Sequence, residues 1–70
     1  MNIRYNGELV ELNEPMSLLA FLQNRFEDWE TLIARSVVAV NQQLVPRQEY
    51  KSYILQTEDD IELLTAVVGG

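Results

Sequence analysis

Seventy residues with eleven acidic and five basic side chains, no cysteine and no histidine, amount to one small domain with a formal charge of −6 and a 47% apolar composition. That composition excludes a disulfide scaffold and a His or Cys metal centre, and its charge repels phosphate backbones and anionic lipid, so neither nucleic acid nor membrane is an expected partner. Without cysteine, a charged and apolar leader or an apolar run approaching membrane-spanning length, the expected location is the cytoplasm.

In chain order, Ile3 and Tyr5 alternate with Asn2 and Arg4 and lead into Asn6-Gly7, the pair that tolerates positive φ at both centres of a type I′ turn. A two-residue turn at that point sets Tyr5 opposite Glu8, Arg4 opposite Leu9 and Ile3 opposite Val10. Ile3, Tyr5, Val10 and Leu12 then share one face, and Arg4, Leu9 and Glu11 the other. Pro15 ends the second strand. Ser17 is the expected N-cap of a helix starting at Leu18, whose apolar stripe is Leu18, Leu19, Leu22 and Phe26. From Glu27 to Arg35 the pattern is mixed, and either a helix extension or a loop fits it.

Ser36 to Asn41 is rich in β-branched residues and predicts a third strand with Val38 and Val40 inward. Asn41-Gln42-Gln43 turns the chain into a short strand at Leu44-Val45, which Pro46 cuts off and confines to an edge. Tyr50, Tyr53, Ile54 and Leu55 are expected to close one side of the core through an irregular or 3₁₀ segment. Glu58-Asp59-Asp60 reads as a surface turn, and the pairs Asp59-Asp60 and Glu27-Asp28 as solvated acids with no pocket around them. A last strand from Asp60 to Val68 puts Ile61 and Leu63 inward and Glu62 outward, with Leu64 as an exposed apolar residue. Strand, strand, helix, strand, short strand, strand is the order of the β-grasp or ubiquitin-like fold. The class is α+β, with a mixed sheet of four to five strands wrapping one main helix and the terminal strands parallel at its centre. Residues 1–66 make the domain and 67–70 a flexible tail.

The tail is Val67-Val68-Gly69-Gly70. A glycine pair arises by chance about once in 200 positions, so it takes its meaning from the strand before it. A terminal carboxylate is anionic at neutral pH and can attack the α-phosphate of ATP, and two residues without Cβ pass through a narrow channel. Four extended residues reach about 13 Å. Val67 and Val68 either grip an enzyme channel or, in the case of Val67, finish the strand. Leu64, Leu9 and Ala66 are the candidate docking face, rimmed by acids, and scattered exposed leucines are the alternative. A basic protein surface would complement the charge, although solubility alone also accounts for it.

Several residues carry a family resemblance over essentially the whole length. They are Met1-Asn2-Ile3 with Asn6-Gly7, the stretch from Val38 to Arg47 (VAVNQQLVPR), and the ending Val67-Val68-Gly69-Gly70. The chain resembles ThiS, the small sulfur carriers of thiamin thiazole biosynthesis. The family commonly reads Asn, a few residues, Val-Pro-Arg, two residues and Trp; here Asn41, Val45, Pro46 and Arg47 match, Tyr50 replaces the tryptophan, and the match is weak between Phe26 and Arg35. The resemblance implies that a ThiF-like adenylyltransferase uses ATP and Mg²⁺ to activate Gly70, that a sulfur donor system converts the adenylate to a thiocarboxylate, and that a ThiG-like thiazole synthase consumes it. The carrier itself would be a monomer when free, would bind no cofactor and would not be an enzyme. Arg47 is expected to brace a turn by holding backbone carbonyls, with partner contact as the alternative. Rival readings are a molybdopterin-synthase small-subunit-type carrier, usually longer and without the Asn to Val-Pro-Arg stretch, and a ubiquitin-like modifier joined to lysines through Gly70.

Overall fold

Asn6 at φ 47° and Gly7 at φ 86° take the two left-handed positions that a tight primed turn requires. They join β1 (Asn2–Tyr5) to β2 (Glu8–Glu11) in an antiparallel hairpin with Ile3 opposite Val10, Arg4 opposite Leu9 and Tyr5 opposite Glu8, the register the turn predicts. The computed structural model describes residues 1–65. Ser17 caps α1 (Leu18–Arg25), its hydroxyl accepting from the Ala20 amide at 3.0 Å. After α1 come α2 (Trp29–Ala34), β3 (Ser36–Val40), β4 (Gln43–Val45), a 3₁₀ turn (Arg47–Glu49) and β5 (Asp60–Thr65).

The five strands form one sheet in the order β2-β1-β5-β3-β4. β5 runs parallel to β1, with Arg4 beside Asp60 and Tyr5 beside Ile61, and antiparallel to β3 from Ser36-Thr65 to Val40-Ile61. Alternation along the strands sends Ile3, Tyr5, Val38, Val40, Ile61 and Leu63 to one face, where α1 covers them with Leu18, Phe21 and Leu22. This is the expected α+β architecture, with a second short helix added.

Four details depart from the sequence reading. The helix buries Leu18, Phe21 and Leu22, while Leu19 and Phe26 are only half-buried. Phe21 is drawn in because its ring lies 5.6 Å from that of Tyr5 on β1. The unreadable stretch contains α2, a six-residue helix with no fully buried side chain, so it lacks the apolar stripe that marks a helix in sequence. Ile54 is exposed and does not join the core. The extended backbone there pairs with Ser17, and alternation turns Leu55 inward and Ile54 out.

The fourth departure is Asp59, which is 6% exposed and not a solvated surface acid. Its carboxylate accepts from the Gln56 amide at 2.7 Å and from Asn41 Nδ2 at 2.9 Å, while Asn41 Oδ1 accepts from the Asp60 amide at 3.0 Å. Asn41, at φ 53°, thereby ties the β3–β4 turn to the first residue of β5. Asp59→Ala leaves the Asn41 amide and the Gln56 N–H without their acceptor. A loss of about 1–3 kcal/mol of stability is expected from urea unfolding.

Burial pushes the hydroxyl of Tyr5 above its ordinary pKa of 10.0, against the opposing pull of Arg25. Tyr50 shifts the same way by burial, opposed by Arg47 and by a hydrogen bond with the Val38 backbone. The folded state therefore holds these protons more tightly than the unfolded chain. The resulting stability is complete below the unfolded value and is lost as pH rises through the raised ones. Unfolding free energies should fall above about pH 10, less steeply in Tyr5→Phe.

Candidate functional site

The last described residue, Thr65, stands on the central strand and is held from the side. It faces Ser36 across the ladder, and Ser36 Oγ donates to Thr65 Oγ1 at 3.3 Å. One residue earlier Leu64 faces Val37. On the far side of β5 the Asn6 side chain accepts from the Leu63 amide at 2.9 Å, continuing the parallel ladder past the end of β1. The strand that leads into the C-terminal segment is thus gripped on both edges up to Leu63 and by β3 as far as Thr65. Ala66, Val67, Val68, Gly69 and Gly70 lie outside the described residues.

Leu64 is 59% exposed on the sheet face opposite α1, as its place in the strand predicts. Apolar side chains outside the candidate docking face stand near it. Val37, 49% exposed, stands directly across from it, and Leu44, 70% exposed, lies on β4 opposite Ala39. Leu9 is equally bare at 65% but belongs to β2, in the row of Arg4 and Asp60. Two strand spacings and four residues of β5 separate it from Leu64, roughly 16 Å at 4.8 Å per strand and 3.3 Å per residue. Leu64 and Leu9 therefore share a face but not a patch. Val37 was within reach of sequence reasoning, since the alternation that sends Val38 inward sends Val37 out.

Arg47 does what a turn brace would do: its Nη2 donates to the Ala34 carbonyl at 3.0 Å, at the C-terminal end of α2. A guanidinium there satisfies a carbonyl that the helix leaves without a partner and sits favourably at its negative end. Pro46, extended at φ −61° and ψ 146°, aims the arginine by starting the 3₁₀ turn. Tyr50, three residues after Arg47, is buried. Among the described residues no group of three or more His, Cys, Asp or Glu is placed to hold a metal ion, and no helix is long and apolar enough to cross a membrane. What this surface offers is an apolar corner beside an anchored strand end, a geometry suited to contact with another protein.

The sequence model of the ThiS family matches residues 3–70. The chain belongs to the ThiS family. It is 33% identical over 70 residues to the uncharacterized protein ycf40 of Porphyra purpurea, an alignment covering all of this chain and 93% of that one. Two solved structures of a thiamine biosynthesis protein (ThiS) from Geobacter metallireducens share the fold. The crystal structure has a TM-score of 0.81 at 19% identity with both chains fully covered. The solution structure has a TM-score of 0.71 at 20% identity, covering all of this chain and 88% of that one. Membership of the ThiS family supports a sulfur carrier role for the chain, as distinct from that of an enzyme.

The brace and the exposed leucine should separate cleanly on mutation. Arg47→Ala is expected to cost about 1 kcal/mol in denaturant unfolding through the lost bond to Ala34, whereas Leu64→Glu should stay within about 0.5 kcal/mol of the parent.

Proposed function

We propose that the chain carries sulfur for thiazole formation in thiamin biosynthesis, with the Gly70 carboxylate as the site of loading. A carboxylate oxygen attacks the α-phosphorus of ATP on a ThiF-like adenylyltransferase that supplies the Mg²⁺, and pyrophosphate leaves. The product is an acyl-adenylate at Gly70. A sulfur nucleophile from the donor system then adds to the acyl carbon and expels AMP, giving a thiocarboxylate. A ThiG-like thiazole synthase accepts that sulfur. The chain contributes the carboxylate and a surface by which each enzyme holds it, and it acts as a monomer in the cytoplasm.

The observation that carries this reading is the ThiS family match running to residue 70 in a chain whose last two residues are Gly69 and Gly70. The anchoring of β5 supports it. Five residues beyond Thr65 reach at most about 17 Å when extended, enough to present Gly70 inside an enzyme while the folded body stays at its mouth. Val67 and Val68 favour the extended backbone such a passage needs, and the absence of Cβ at Gly69 and Gly70 narrows the end of the chain.

Incubation with the adenylyltransferase, ATP, Mg²⁺ and a sulfur source should raise the intact mass by the difference between sulfur and oxygen. Conjugation to lysine would instead give branched peptides. Removing Gly70, or Gly69→Trp, should abolish ATP–pyrophosphate exchange while leaving the melting temperature nearly unchanged. Exchange at the parent rate by the truncated chain would overturn the assignment of Gly70.

A further inference from the structure

The sheet face that bears Leu64 has a corner unlike the rest of the molecule. Two adjoining shallow depressions of about 330 and 350 Å³ meet there and share Ser36, Val37 and Arg47. Leu44 walls one of them, and Leu64 and Thr65 wall the other. The exposed apolar side chains Val37, Leu44 and Leu64 thus line a continuous groove. Arg35 and Arg47 also line it, two of only five basic residues in a chain of charge −6. Among the described residues neither is in an ion pair, whereas Arg25 pairs with Glu8 at 3.6 Å. One Arg47 nitrogen is engaged with the Ala34 carbonyl, and a guanidinium has five N–H donors to offer.

We propose that this groove docks a segment of the tail-accepting enzyme that presents an apolar side chain next to a carboxylate, the apolar group seated among Val37, Leu44 and Leu64 and the carboxylate on Arg35 and Arg47. The charge of the whole chain draws in a basic surface, but the corner where β5 ends is locally cationic, so the complementary partner is acidic at that point and basic around it. Such a pattern fixes orientation as well as attraction, because a rotated partner would bring like charges together. Thr65 lines the groove, so the segment held there lies beside the residue from which the C-terminal stretch departs. An enzyme that receives Gly70 must pass this corner, and the identity of that enzyme rests on the carrier reading above.

The test is calorimetric binding of the full chain to its adenylyltransferase, with acyl-adenylate formation followed by mass spectrometry in the same samples. Arg35 is exposed and bonds to no side chain among the described residues, so its substitution should leave folding intact, as a thermal melt will check. Arg35→Glu and Val37→Glu should each weaken binding by about tenfold or more, while Arg35→Lys and Lys51→Glu stay within about twofold. The effect of Arg35→Glu should shrink in high salt. Unchanged affinity in Arg35→Glu and Val37→Glu, an equal loss in Lys51→Glu, or no binding by the parent chain would each overturn the proposal. Tight binding of the parent without an adenylate would leave the groove standing and remove the carrier chemistry.

Discussion

The parallel pairing of β1 with β5 is the constraint on which the rest of the structure depends. Only two residue pairs make the ladder, Arg4 with Asp60 and Tyr5 with Ile61. It is extended by backbone bonds from the Arg4 amide to the Asp59 carbonyl at 2.8 Å and from the Asn6 amide to the Ile61 carbonyl at 2.9 Å. Closing the chain over almost its whole length costs entropy that grows only slowly with loop size. The seam recovers it by burying Ile3 and Ile61 completely beneath α1. Once β5 occupies the middle of the sheet, β3 can pair with its other edge, and β4 follows through the turn at Asn41.

That arrangement gives the end of β5 a fixed stance. A strand at a sheet edge could fray back from its tip, but here the Asn6 side chain and the β3 ladder restrain it from both sides. The outer corner around Val37 and Leu64 also explains an oddity of composition. Central strands are apolar on both faces when both are covered, yet in this domain α1 covers only one, and the apolar outer residues cluster where β5 ends rather than along its length.

Much of this was legible in the sequence because the relevant signals are local. The Asn6-Gly7 turn determines the hairpin register, the Ser17 hydroxyl marks where α1 begins, and Pro46 ends β4 because it has no amide to donate. Leu64 stood out as the break in a polar alternation. The features that escaped depend on partners distant in sequence. Asp59 reads as one acid of a surface run, and only the arrival of Asn41 and the Gln56 amide makes its burial tolerable. Phe21 is chosen over Leu19 by the ring of Tyr5 across the core. The six residues of α2 bury nothing fully, so no periodicity announces them. Tyr50, in the place where the family has tryptophan, packs inward and so preserves the flat ring the sequence suggested.

The two outer strands have a bearing on how crowded a solution of this domain can become. β2 carries Glu8 and Glu11 along the rim of the sheet, and β4 is three residues long before Pro46 ends it. Unpaired strand backbones invite other chains to add on as ribbons, and charge, brevity and proline are the means by which proteins discourage that. With both rims of its sheet unsuited to templating, this domain can be stockpiled without its copies polymerising edge to edge.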